Sequence, residues 1–246
     1  MPLIETIDNM DWDSRFFGFD VARIDTDCTD ECAVDAEIRR LQRQRAELIY
    51  VFSAYPLRLC DFNAMLVDQK LSYVNTNPVY RPVDKNIVEV SVVSRQLYEL
   101  GCHAGGHSRY KVDPNIKEDD FRRMFRLWVD NSVSRQFADY VFAYEVDAEA
   151  VGFVTAKVKG DELSIGLIAT DENYRGCGIG GALIQTIVNL ASELHLKAEV
   201  TTQADNVTAC RFYERHGFNI ASRSYVYHVW LSLIHISEPT RLRRIS

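Results

Sequence analysis

The run Arg175-Gly176-Cys177-Gly178-Ile179-Gly180 has the composition of an anion cradle. Glycines at 176, 178 and 180 leave the main chain bare where a phosphate must approach it. A helix opening at this point turns its unpaired N–H groups and the positive end of its dipole toward that anion. Arg175 adds a charge that stays on at any working pH. A second basic stretch lies at residues 103–111, where Arg109 and Lys111 join His103 and His107 among glycines in a chain of net charge −7. A guanidinium grips phosphate through paired N–H groups, so Arg109 is the candidate for holding a diphosphate, and Tyr110 for stacking on a base or sugar face. Against these stand two plain alternatives. The glycines would only let a helix pack on a sheet, and the basic residues would only lie in solvent before a helix that Asp113-Pro114 starts.

The elements around the glycines decide how they are read. An apolar strand over residues 164–169 precedes them. After them Leu183, Ile184, Ile187, Val188, Ala191 and Leu194 recur at three- and four-residue spacing, so one helical stripe faces a sheet. Residues 197–202 then alternate as a strand, and a helix capped by Asn206 ends at Gly217. A dinucleotide-binding loop would want a ribose-binding acid at the end of the next strand, and Glu199 falls inside it instead. A Walker loop would need Gly-Lys-Ser/Thr, which this segment lacks.

Strand, R-x-x-G-x-G and helix in that order resemble the acyl-CoA signature of the GNAT acetyltransferase superfamily. The later run Asn206-Val207-Thr208-Ala209-Cys210-Arg211-Phe212-Tyr213-Glu214-Arg215-His216-Gly217-Phe218 is similar to the superfamily's second signature. The resemblance implies an α/β GNAT fold, a mixed and mostly antiparallel sheet flanked by helices, using acetyl-CoA and no metal. It implies that Leu167, Ile168 and Ala169 line the thioester and that a backbone N–H near Ile168 polarises the acetyl carbonyl. Arg175, Gly176, Cys177, Gly178, Ile179 and Gly180 would hold the pyrophosphate, with Cys177 a small loop residue, since the family transfers the acetyl group directly. Asn206 would bond the pantetheine amides. Tyr213 would protonate the departing thiolate, a task suited to a phenol that is neutral at pH 7; its alternative is a core aromatic beside Phe212. The general base has no signature: His107, Asp113, Glu145 and Glu162 are all open.

Residues 101–231 make up the expected GNAT domain, and residues 1–100 a smaller N-terminal α/β domain. In the latter, residues 21–24 and 49–53 read as strands and 33–48 as a helix, followed by longer strands at 67–80 and 87–93 and a seam at 101–106. The layout resembles the bacterial acetyltransferases of nucleotide-linked 4-amino-4,6-dideoxyhexoses, the dTDP-fucosamine acetyltransferase type. The carrying residues are Trp12-Asp13-Ser14-Arg15-Phe16-Phe17-Gly18, His107-Ser108-Arg109-Tyr110, Trp128-Val129-Asp130-Asn131 and Ile165-Gly166-Leu167. A nucleotide-linked amino sugar is therefore the implied acceptor, with Arg109 and Tyr110 as its binding residues. The helix at 115–132 carries Phe121, Met124, Phe125 and Trp128 on its apolar stripe, which predicts a core role for Trp128.

Composition excludes several partners. A net charge of −7 and a pI of 5.4 oppose nonspecific nucleic-acid binding. No apolar run reaches the ~18 residues of a membrane span, and the N-terminus lacks the basic and apolar regions of a signal peptide. Cysteines at 28, 32, 60, 102, 177 and 210 have neither metal-ligand nor C-x-x-C spacing and read as reduced thiols of a cytoplasmic protein. Residues 232–246 resemble translated adapter DNA and are set aside as a non-native tail. Dimers are common in the fold that the resemblance implies, which leaves dimerisation through the last strands open. Two other functions remain open: a GNAT acting on a protein N-terminus, a lysine or another small amine, and a non-catalytic acyl-CoA-binding domain.

Overall fold

A computed structural model describes residues 3–59, 61–82 and 84–231. Cys60 and the tail at 232–246 lie outside the described residues. The chain forms two compact units, residues 67–224 and, from the two ends, residues up to 66 together with those from 225.

The smaller unit is built on β1 (Ile4–Ile7), β2 (Val21–Thr26) and β3 (Leu48–Ser53), with α1 (Asp11–Phe17) and α2 (Glu31–Arg43) between them. β1 lies antiparallel to β2, and β2 parallel to β3. The parallel pair needs a crossover, which α2 supplies. Asp30 caps α2 by accepting from the N–H groups of Cys32 and Ala33. Its stripe of Val34, Ile38 and Leu41 is fully buried with Ile24, Ile49 and Val51. The helix stops short of the predicted residue 48 because Arg45 takes a left-handed φ of 70°. The chain's last described strand, β10 (Asn219–Trp230), closes this unit by pairing antiparallel with β3 from Tyr225 onward.

The larger unit begins on β4 (Ala64–Asn75) and β5 (Ile87–Glu89). Helices α3 (Arg95–Ala104), α4 (Arg109–Val112) and α5 (Glu118–Val133) follow. Then come β6 (Tyr140–Val146), β7 (Glu149–Lys159), β8 (Glu162–Thr170), α6 (Ile179–Glu193), β9 (Lys197–Gln203) and α7 (Val207–Arg215). Its strands run in the order β4-β9-β8-β7-β6-β5, mixed and mostly antiparallel. On α6, Leu183, Ile184, Ile187, Val188 and Ala191 are buried against the sheet, at about 1.5–3 kcal/mol for each large side chain. Leu194, assigned by its spacing to the same stripe, is the C-cap and stands exposed.

The division falls at 66/67 rather than at 100/101. β4 pairs with β9 and β5 with β6, which brings these early strands into the sheet of the later domain. The expected seam at 101–106 is largely helix: Gly101 sits inside α3, where a Cβ would come within 2.6 Å of Val129 Cγ2. That glycine serves the close approach of α3 to α5.

Candidate active site

β8 and β9 pair in parallel from Glu162↔Lys197 to Ile165↔Val200, and their pairing ends there. On its other edge β8 stays bonded to β7 as far as Thr170↔Gly152, with an irregularity around Thr155. One edge of residues 166–170 is therefore open. Successive backbone N–H groups of a strand point to opposite edges. Leu167 N–H donates to Thr155 Oγ1 at 2.9 Å and Asp171 N–H to the Val151 carbonyl at 2.8 Å, both toward β7. By alternation, Ile168 and Thr170 turn their N–H groups into the gap.

At the end of β8 the Asp171 carboxylate accepts from Asn173 N–H at 2.8 Å and folds the chain into a short 3-10 turn, Glu172–Tyr174. Gly176 and Gly178 then adopt φ of 80° and 81°, which favours glycine whatever the space around it. Gly178 is the N-cap of α6, and the first bond into that helix runs from Ala182 N–H to its carbonyl at 3.0 Å. The N–H groups of Gly176, Gly178, Ile179 and Gly180 find no acceptor among the described residues. This is the unfilled donor set of a helix start, and an anion would complete it. Ile179 anchors the loop by burying its side chain in the core.

α7 brings the second set. Asn206 accepts from Ala209 N–H at 3.1 Å through Oδ1, so capping occupies its carbonyl and leaves its amide N–H₂ to donate. Tyr213 is buried, with Phe212 at 5.4 Å, Tyr73 at 5.9 Å and Phe218 at 6.0 Å between ring centroids. Burial pushes its phenol above the usual range, and it stays protonated.

One cleft of about 1220 Å³ gathers Leu167, Ile168, Ala169, Arg175, Gly176, Gly178, Ile179, Gly180, Asn206 and Tyr213 with Arg109 and Tyr110 of α4. Cys177 is exposed and is not among the lining residues. Arg109 lies over the Tyr110 ring at 4.4 Å and bonds its hydroxyl, so one face of that buried ring is already covered. The basic stretch is weaker than its composition: Lys111 pairs with Glu118, and His107 Nδ1 lies 3.9 Å from Asp205.

Of the four candidate bases, only His107 lines the cleft. Asp113 is buried, accepting from the Asn115 backbone and side chain, and shapes the turn into α5. Glu145 and Glu162 lie in β6 and at the start of β8, away from it. Trp128 departs from the core role predicted for it: it is half-buried, stacks on Phe125 at 5.6 Å and lines the cleft. A helical stripe gives the face a residue lies on but not the depth to which that face is covered. The sequence also left out Asp68, buried on β4 and lining the same cleft. A carboxylate between Val67 and Leu71 in an apolar strand was the available signal.

A parallel pair that splays just ahead of a glycine-led helix is the architecture of an acyl-CoA-binding acetyltransferase domain. Residues 107–218 match the acetyltransferase (GNAT) family, a superfamily of acyltransferases that use acetyl-CoA. Among curated proteins the chain is similar to the spore coat polysaccharide biosynthesis protein SpsD of Bacillus subtilis (strain 168), 29% identical over 135 residues, 54% of this chain and 46% of that protein. It is also similar to mycothiol acetyltransferase of Corynebacterium efficiens, 34% identical over 91 residues, 36% of this chain and 30% of that one. The matched regions thus span less than half the length of these relatives. Among solved structures, the GCN5-related N-acetyltransferase from Sphaerobacter thermophilus shares the fold with a TM-score of 0.58 and 12% identity, over 94% of this chain and 76% of that one.

Proposed function

We propose that this protein is an acetyl-CoA-dependent N-acetyltransferase whose acceptor is the amine of a nucleotide-linked amino sugar. The observation that carries the transfer is the open edge at Ile168 and Thr170, in one cleft with the glycine loop and Tyr213. Acetyl-CoA, when bound, supplies the acyl group as a thioester. The N–H groups at 176–180, with Arg175 beside them, hold its pyrophosphate. Asn206 donates to a pantetheine carbonyl. Ile168 N–H donates to the acyl oxygen and strengthens that bond as negative charge grows there. Leu167 and Ala169 position the thioester. The acceptor amine attacks directly.

Tyr213 faces the departing sulfur. A phenol at about pKa 10 is a weaker acid than a thiol at about 8.5, so full transfer is uphill and burial makes it more so. Its main contribution is a hydrogen bond to the sulfur as charge develops, with the proton passing late.

The acceptor reading rests on Arg109, which lines the cleft together with the Phe125–Trp128 stack, a cation for a diphosphate beside an aromatic wall for a base. Tyr110 serves it by holding Arg109 in place. The relationship to a protein named for polysaccharide biosynthesis supports the same reading. The cytoplasm, where nucleotide sugars and acetyl-CoA meet, is the compartment that fits, and sedimentation distinguishes a monomer from a homodimer. Thiol release from acetyl-CoA should occur with dTDP- or UDP-linked 4-amino-6-deoxy sugars and not with a mixed peptide panel. Turnover with peptides alone would overturn the sugar-nucleotide assignment. Tight CoA binding without turnover on either set would leave a binding domain.

A further inference from the structure

We propose that Asp68 is the base that takes the proton from the acceptor amine. The proposal rests on the acetyl-transfer reading and adds the group that reading lacks. Asp68 is 6% exposed and sits on β4, beside the arm of β9 that diverges from β8. Its Oδ2 accepts weakly from Gln203 Nε2 at 3.5 Å, and Gln203 is the last residue of that arm. Its Oδ1 is buried with no hydrogen-bond partner among the described residues. A buried carboxylate oxygen left unpaired is costly, so a fold that keeps one at the wall of a cleft has an occupant to offset it. An alkylammonium fits, bringing opposite charge and three donors.

The charged groups around Asp68 do not neutralise it. Lys70 on the same strand and Arg109 from α4 favour the carboxylate, Asp205 beyond β9 opposes it, and burial outweighs them all. The result is titration at about 6, well above the ordinary carboxylate range. A group of that strength is ionised at neutral pH and still basic enough to take a proton in the reaction. His107, the other titratable group considered for this role, is exposed and faces Asp205.

The ammonium passes one proton to Asp68, and the free amine attacks the acyl carbon. The N–C bond forms and the C–S bond breaks. Sulfur takes a proton from Tyr213, and the second proton of the nitrogen restores the phenol through solvent. Asp68 returns its proton to water, so one proton is released for each amide made.

The test compares the wild type with Asp68→Asn and Asp68→Glu in two measurements. Carboxyl ¹³C NMR of aspartate-labelled protein, with the resonance assigned by its loss in D68N, should show Asp68 titrating near 6. Steady-state kinetics use dTDP- and UDP-linked 4-amino-6-deoxy sugars and the peptide panel. With any amine the wild type acetylates, D68N should lower kcat by about 100-fold or more. It should also remove the acidic limb of the kcat profile and leave the KM for acetyl-CoA within about 3-fold, with D68E recovering part of the rate. Titration of Asp68 near 4, or a D68N enzyme that keeps its kcat and acidic limb, would overturn the assignment; a limb then lost in His107→Gln would pass the role to His107. A wild type that acetylates none of these amines overturns the transfer reading itself, and the base role falls with it.

Discussion

Ile165 and Val200 are the last residues at which β8 and β9 are paired, and everything the cleft can do to an acyl group depends on their parting there. Beyond Ile165, one edge of β8 is held to β7 and the other is open. Thr155 fixes which N–H groups face which way by accepting from Leu167.

Thr155→Val is therefore expected to act at a distance. It strands a buried N–H, which costs about 1–3 kcal/mol of stability. It also loosens the orientation of Ile168, so kcat should fall and the KM for acetyl-CoA rise. Denaturant unfolding and steady-state kinetics check the two effects, and an unchanged kcat would show that Ile168 is held by other contacts.

Gly178→Val forces a β-branched residue to φ 81° at the N-cap of α6. The open space around its Cβ means that the cost is in the backbone, of order 1–3 kcal/mol. The loop should relax and lose its donor cradle, weakening CoA binding by at least about 100-fold, or ~2.7 kcal/mol. Calorimetric titration with CoA measures this, with circular dichroism confirming that the fold is kept. Unaltered affinity would mean that the pyrophosphate lies elsewhere.

Tyr213→Phe keeps the buried ring and removes only the hydroxyl. Turnover should drop by about 10²-fold while the Kd for CoA stays within about 3-fold. Loss of CoA binding instead would make the hydroxyl a structural contact.

Asp68 gives a stability signature independent of any acceptor. Its carboxyl moves from the ordinary aspartate value of 3.8 to about 6 in the folded protein, so the folded state binds the proton more tightly than the unfolded. The contribution is fully present below pH 3.8 and is lost as the pH rises through 6. About 2 units at about 1.4 kcal/mol each sets an upper bound near 3 kcal/mol. D68N should accordingly be more stable than the wild type at pH 8, with the difference shrinking toward pH 4. Thermal unfolding at the two pH values checks this, and an equal difference at both would deny the raised pKa.

Much of the cleft was legible in local sequence, because its parts are local devices. The glycine run falls in a loop that opens α6, as its place in the sequence implied, Asn206 caps α7, and Gly217 follows its end with φ 83°. The stripe on α6 is buried as its period required, apart from Leu194 at the frayed end. Where prediction strayed, the deciding contact was remote: β4 and β5 look like part of a separate domain until their partners, β9 and β6, are known.

By itself, then, the sequence determined the helices α2, α5, α6 and α7, the glycine loop and the family signature, since turn geometry, capping and amphipathic period act within a few residues. Only the tertiary structure decided where β8 and β9 separate, that Trp128 lines the cleft, and that Asp68 lies against Gln203. Strand register and depth of burial are set by pairing between distant segments. A pattern of residue types along one strand does not specify which strand will lie beside it.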